Sequence, residues 1–191
     1  MYRDPRHWLQ IIWGFIALFW LLSALSSKRV VRTQPVAGRL LHSVILIAAA
    51  FLLFSDGPYL PWRAQRVLPA APPVAWLGLT ITALGALFTV IARAYLGRNW
   101  NARPSLKEDH EVIHSGPYAL VRHPIYSGLL LTATGTAVAI GLVRSFLALP
   151  LILLGFWIKA SYEERLLTEA LGEPYRAYTR AVRWAIIPFL L

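Results

Sequence analysis

The chain has 191 residues, of which 57% are hydrophobic and only 15% charged, with a formal net charge of +10 and no cysteine. Such a balance, gathered into several long uncharged runs, excludes an ordinary water-soluble domain built on one core. The missing thiols exclude disulfides, cysteine nucleophiles and thiolate metal sites.

A bilayer core of roughly 30 Å takes about 20 apolar helical residues. Residues 8–27 carry no charge and read as a first span. Arg3 and Arg6 before it and small residues after it imitate a signal sequence, but its length and the following Lys28, Arg29 and Arg32 mark a retained helix. Residues 40–55 give a shorter second span beyond a basic loop. The stretch 57–73, with Pro58, Pro61, Pro69, Pro72 and Pro73, cannot be helical throughout and suits the outer interface, with Trp62 and Trp76 as belt residues. Residues 74–92 form a third span, and 97–124 a polar stretch. Spans at 125–143 and 145–158 follow with almost no room between them, so they form a hairpin turning near Gly141. Small residues Gly128, Thr132, Gly135 and Thr136 on its first arm allow close helix approach. The last helix, predicted over 146–171, exceeds the hydrocarbon thickness and stops at Gly172, so its final turns stand in the cytoplasm. The expected architecture is an all-α integral membrane fold of about five spans in one domain, with N-terminal spans in 1–73 and a core in 74–191.

Charge sets the orientation. With the N-terminus outside, the outer segments hold Arg3, Arg6, Arg63, Arg66 and Arg144, and the inner segments hold the other basic residues. This places the C-terminus in the cytoplasm and assigns the positive charge to topology and anionic lipid, not nucleic acid. Small size and minimal topology point to a bacterial inner membrane.

Three polar groups could carry chemistry. His110-Glu111-Val112-Ile113-His114-Ser115-Gly116-Pro117-Tyr118 runs into Arg122-His123-Pro124-Ile125-Tyr126. Its Gly-Pro and His-Pro steps break helix and free backbone groups for a polar ligand, or else its side chains simply anchor a loop to headgroups. Glu163 and Glu164 are adjacent carboxylates where the last helix leaves the membrane; pairing with Arg122 or Arg165 competes with ligand binding as their purpose. Beyond Gly172, interleaved Tyr175, Arg176, Tyr178, Arg180 and Arg183 suit an interfacial helix, with 184–191 dipping back into the membrane. No metal site is expected, because His110 and His114 are the only histidines at helical i, i+4 spacing and Gly116-Pro117 opposes helix there. A Rossmann glycine-rich turn is absent as well.

Together, Leu96-Gly97-Arg98-Asn99-Trp100, the runs His110 to Tyr118 and Arg122 to Gly128, Glu163-Glu164-Arg165-Leu166-Leu167 and Gly172-Glu173-Pro174-Tyr175-Arg176-Ala177-Tyr178 resemble the isoprenylcysteine carboxyl methyltransferase family, related to the phospholipid N-methyltransferases. The resemblance implies S-adenosyl-L-methionine as cofactor in a cytoplasmic pocket, held by His110, Glu111, Val112, Ile113, Tyr118, His123, Pro124, Ile125, Tyr126 and Glu163. It also implies a lipophilic acceptor, such as a prenylated cysteine carboxylate or a related small acid, entering from the bilayer. Four residues before Glu163, where the eukaryotic enzymes use a substrate-binding arginine, this chain has Lys159. A carboxylate acceptor needs only a cation, Lys159 or Arg122; an amine acceptor needs a base, Glu164 or His123. Other readings are a phospholipid or amine N-methyltransferase, a sterol-reductase-like enzyme using NADPH, and a membrane scaffold without catalysis.

Overall fold

The computed structural model describes residues 5–24, 30–33, 36–55, 64–97, 105–107 and 112–190. Helices are α1 (Pro5–Ala24), α2 (Val36–Phe54), α3 (Pro72–Leu96), α4 (Pro124–Ile140), α5 (Val143–Leu171) and α6 (Glu173–Ala181). Of these, α1, α3 and α5 are long and apolar enough to cross a bilayer, while the apolar parts of α2 and α4 are shorter. Leu18, Leu22, Val44, Ile47, Leu84 and Leu87 point outward, the arrangement expected when the surrounding solvent is lipid. This is an all-helical integral membrane protein with one small addition. Strands β1 (Val30–Thr33) and β2 (Ser105–Lys107) form an antiparallel ladder that pairs Thr33 with Ser105 and Val30 with Lys107. The sequence predicts a basic loop over the first segment and a polar stretch over the second.

Helices α3 and α4 interlock at backbone distance. A Cβ on Gly85 would lie 2.5 Å from the Thr132 nitrogen, and one on Gly135 would lie 2.3 Å from the Thr82 nitrogen. Gly78 faces Ala139 and Gly128 faces Thr89 in the same antiparallel register. The threonine hydroxyls turn back on their own helices: Thr82, Thr89, Thr132 and Thr136 each donate to the carbonyl four residues earlier at 2.8 Å. With few apolar side chains between them, these helices associate through close packing, which lipid tails do not oppose. The expected small-residue stripe on α4 is therefore an interface with α3. Helix α2 packs on α5, where Gly155 lies under Leu46.

Helix ends explain where several arginines sit. A helix C-terminus leaves carbonyls without partners and carries partial negative charge. Arg144 on α5, only 4% exposed, donates at 2.8 Å to both Leu52 O and Leu53 O at the end of α2. Arg66 reaches Ile140 O at the end of α4 at 3.1 Å, and Arg93 reaches Ser23 O at the end of α1 at 3.3 Å. Backbone pairing of Val67 N with Gly141 O and Val143 N with Gln65 O, both 2.9 Å, ties the 65–68 segment to the α4–α5 turn. That turn is Gly141 and Leu142, and Gly141 has φ 71°, a left-handed conformation open to glycine.

Helix α5 begins three residues earlier than the sequence suggests and runs 29 residues to Leu171, about 43 Å at the usual helical rise. Its C-terminal end therefore projects beyond a hydrocarbon core of roughly 30 Å. The start of α4 and the whole of α6 gather around this projection.

Candidate functional site

The site begins with a proline. Pro124 opens α4 and bars its predecessor from helical geometry, leaving His123 at φ −123°, ψ 61°. Arg122 and His123 thus lie outside the helix with their amides free to bond elsewhere. They donate to Trp184 O at 2.9 Å and Ala185 O at 2.8 Å. The Arg122 guanidinium adds bonds to Val182 O at 2.9 Å and Arg183 O at 2.6 Å, and the Ser127 hydroxyl bonds Ile186 O. The 182–186 segment is thereby stitched along the front of α4, with Ala185 and Ile186 buried in the main core. Besides the return towards the bilayer that the sequence predicts from 184, the 182–186 segment is a wall of the site.

Two adjacent carboxylates meet this front from α5. Adjacent helical side chains diverge by about 100°, and here they straddle one imidazole. His123 Nε2 lies 3.0 Å from Glu164 Oε1, and its Nδ1 lies 3.5 Å from Glu163 Oε2. Both ring nitrogens can donate only in the imidazolium form. Burial alone would lower the His123 pKa, but hydrogen bonds and charge from Glu163 and Glu164 outweigh it and raise the pKa above its ordinary 6.5. Arg122 grips Glu164 with a fork, Nε to Oε1 at 2.7 Å and Nη2 to Oε2 at 3.2 Å. Tyr126, in the first turn of α4, shares its hydroxyl proton between both oxygens of Glu163 at 2.8 Å.

The rings stack. His123 lies on Tyr126 with centroids 5.4 Å apart and planes 8° from parallel, and Tyr126 lies on Phe156 at 5.0 Å and 14°. The Lys159 ammonium is 5.2 Å from the centre of the Tyr126 ring, a cation–π distance. Glu163, Lys159 and Phe156 descend one face of α5 at four- and three-residue steps, from polar end to apolar core.

Around this centre Tyr118 is buried in a 3-10 turn at Gly116–Ala119, and its carbonyl accepts the Tyr178 hydroxyl at 2.8 Å. Gly116 has φ 57°, and a Cβ there would strike the Tyr95 ring at 2.3 Å, which accounts for the Gly-Pro step. Burial, with Tyr178 and Glu163 nearby, pushes the Tyr118 phenol well above its ordinary value. Val112 packs on the Tyr175–Tyr178–Val182 cluster, and Ile113 is half-buried. The side chains of Pro124 and Ile125 are buried, Ile125 in the main core.

Of the residues singled out from sequence, the structure therefore unites Arg122, His123, Tyr126, Lys159, Glu163 and Glu164, with Tyr118, Val112 and Ile113 at the margin. His110 and Glu111 lie outside the described residues. Phe156 and the 182–186 carbonyls were missed. Phe156 had a signal, since it lies one helical face below Lys159; backbone carbonyls have none.

The profile of the isoprenylcysteine carboxyl methyltransferase family matches residues 76–169, from the first turns of α3 to the end of α5. The chain is 31% identical over 153 residues to protein-S-isoprenylcysteine O-methyltransferase B of Arabidopsis thaliana, covering 76% of this chain and 78% of that protein. The chain belongs to the isoprenylcysteine carboxyl methyltransferase family. A probable protein-S-isoprenylcysteine O-methyltransferase of Oryza sativa subsp. japonica is 33% identical over 120 residues, or 61% of this chain and 62% of the rice protein. A protein-S-isoprenylcysteine O-methyltransferase of Schizosaccharomyces pombe is 36% identical over 76 residues, 39% of this chain and 32% of that protein. The family match carries Arg122, His123, Tyr126, Lys159, Glu163 and Glu164, whereas α6 and the 182–186 wall lie beyond it.

Proposed function

We propose that this chain transfers a methyl group from S-adenosyl-L-methionine to the carboxylate of a lipophilic acceptor, such as a prenylated cysteine, at the cytoplasmic membrane face. The observation that carries the reading is the His123–Glu163–Glu164 cluster at the emerging end of α5, with Lys159 one turn deeper towards the apolar core.

The residues fit such a cofactor. Glu163 is one-fifth exposed and keeps acceptor capacity beyond the Tyr126 bond, so it can receive hydroxyl or ammonium donors. The half-buried Val112 and Ile113 would line the adenosyl side. When bound, S-adenosyl-L-methionine supplies a methyl group already activated on a sulfonium. The remaining tasks belong to the protein: aligning the acceptor and excluding water. Lys159, one turn from Glu163 and over the Tyr126 ring, holds the acceptor carboxylate, while Arg122 binds Glu164 and two carbonyls. The Phe156–Tyr126 stack below it keeps water out.

A carboxylate acceptor also suits the proton inventory. His123, held above its ordinary pKa between two carboxylates, is a poor base, and Glu164 is occupied by Arg122 and His123. Among the described residues, neither His123 nor Glu164 would be a free base for an amine acceptor. Orientation with the N-terminus outside follows from the charge asymmetry. The relatives found are eukaryotic and lend no support to a bacterial source.

Calorimetry with S-adenosylhomocysteine on the detergent-purified protein tests this. Glu163→Ala is expected to weaken binding at least about tenfold, the loss of a charge-assisted hydrogen bond, and to stop methylation of an S-farnesylated N-acetylcysteine. Undiminished binding and turnover in the variant would remove Glu163 from the cofactor site. A folded wild type that binds no adenosyl compound would end the whole reading.

A further inference from the structure

The wall of the site has an outer surface. Tyr175 and Tyr178 turn the inner face of α6 into the protein, while Arg176 and Arg180, at i, i+4 spacing, are exposed on its other side, and Arg183 is exposed just beyond. From residue 165 to 190 the chain carries four arginines against two glutamates, Glu169 and Glu173. Glu173 pairs with Arg180, and burial does not contribute to its lowered pKa, which follows from Arg180.

Apolar side chains sit beside this charge. Trp184 and Phe189 rings lie 5.7 Å apart; Phe189 is 85% exposed and Leu190 69%. Phe189 also has φ 66°, a left-handed conformation that a bulky residue adopts at a cost. In water, both the strain and the exposure are unfavourable. Contact with acyl chains removes the second, and aromatic side chains next to arginines are the usual composition of a membrane-interface segment.

We infer that the exposed face of α6, Arg183 and the Trp184–Leu190 stretch form a docking surface for anionic lipid headgroups, and that lipid bound there braces the site. Charge complementarity selects the lipid: arginines predominate, so phosphatidylglycerol-type or phosphatidylserine-type headgroups bind and zwitterionic ones do not. The bracing follows from connectivity. The same segment that shows Arg183 and Trp184 to the membrane offers its carbonyls from Val182 to Ala185 to the amides of Arg122 and His123 and to the Arg122 guanidinium. Fixing the outer face of this segment fixes the inner one. The inference does not rest on methyl transfer, since neither part involves a cofactor or an acceptor.

The test uses the full chain purified in detergent and reads lipid retained in native mass spectrometry, with phosphatidylglycerol or phosphatidylcholine added. The triple variant Arg176→Gln, Arg180→Gln, Arg183→Gln is expected to lose about tenfold in phosphatidylglycerol affinity, less than three full surface charges would give because Arg180 is paired. Phosphatidylcholine retention stays unchanged, and the corresponding triple lysine variant, which keeps the charge, retains the anionic lipid. Equal phosphatidylglycerol retention by wild type and the glutamine triple would overturn the docking surface. Amide hydrogen exchange at Arg122 and His123 reads the coupling: phosphatidylglycerol slows it in wild type and leaves it unaltered in the glutamine triple. Lipid binding without that slowing would overturn the bracing. Both readouts are independent of adenosyl binding, so their failure is distinguishable from failure of the proposed function.

Discussion

The two ends of the helix bundle use the same residue type in opposite ways. At the end holding the α4–α5 turn, Arg66 and Arg144 are consumed by the carbonyls that close α4 and α2. Those carbonyls carry partial charge, and the result is a fixed joint. At the other end Arg122 also takes two carbonyls, but its fork closes on Glu164, and His123 joins Glu164 to Glu163. Here full charges face one another within reach of solvent and of the bilayer. An arginine on carbonyls finishes a fold, whereas an arginine on a carboxylate leaves a polar network that a ligand can enter.

Removing one arginine from each end breaks or confirms this contrast. Arg122→Ala carries the largest expected effect, about 3 kcal/mol of lost stability, since Glu164 and two carbonyls all lose a charged donor. Thermal unfolding in detergent measures it, and S-adenosylhomocysteine binding should vanish alongside. Arg122→Lys recovers only part, because lysine has no fork. An unchanged melting temperature in the alanine variant would dismantle the account of the Arg122 end. Arg144→Met is expected to cost about 1.5 kcal/mol through the lost cap on α2 while S-adenosylhomocysteine affinity stays at the wild-type value. Should affinity drop as well, the two ends are not separable.

The smallest effect is one of pH. Because the His123 pKa is raised, protonated His123 contributes its full stabilisation below the ordinary 6.5, and that contribution is lost as pH climbs through the raised folded value. Melting temperature should therefore decline from about pH 6 towards alkaline pH, with a flatter profile in His123→Gln. Parallel profiles would show that the imidazole is not bridging charged carboxylates.

Much of this was readable from residue patterns. Uncharged runs located the spans, Gly141 the hairpin turn, and the length to Gly172 the projecting end of α5, because each rests on local composition. Gly128, Thr132 and Gly135 announced a close interface but not its partner, since α3 supplies matching small residues at a distance no periodicity encodes. The adjacent Glu163 and Glu164 left ion pairing and ligand binding undecided; geometry shows Glu164 paired with Arg122 and Glu163 bonded to Tyr126 and near His123. What stayed illegible was backbone pairing, between β1 and β2 and between Arg122–His123 and the 182–186 segment. Carbonyls and amides are common to every residue, so the sequence carries no mark of which ones meet.

The α4–α5 turn has a mechanical consequence. Two arms joined by Gly141 and Leu142 meet again at their far tips, where His123 bridges to Glu163 and Glu164. The α4 arm, 17 residues long, measures about 25 Å, so a tilt of about 5° at the joint displaces its tip by about 2 Å by that lever length. Gln65 and Arg66 grip the joint at one end of this lever, and the carboxylates and imidazole stand at its other end.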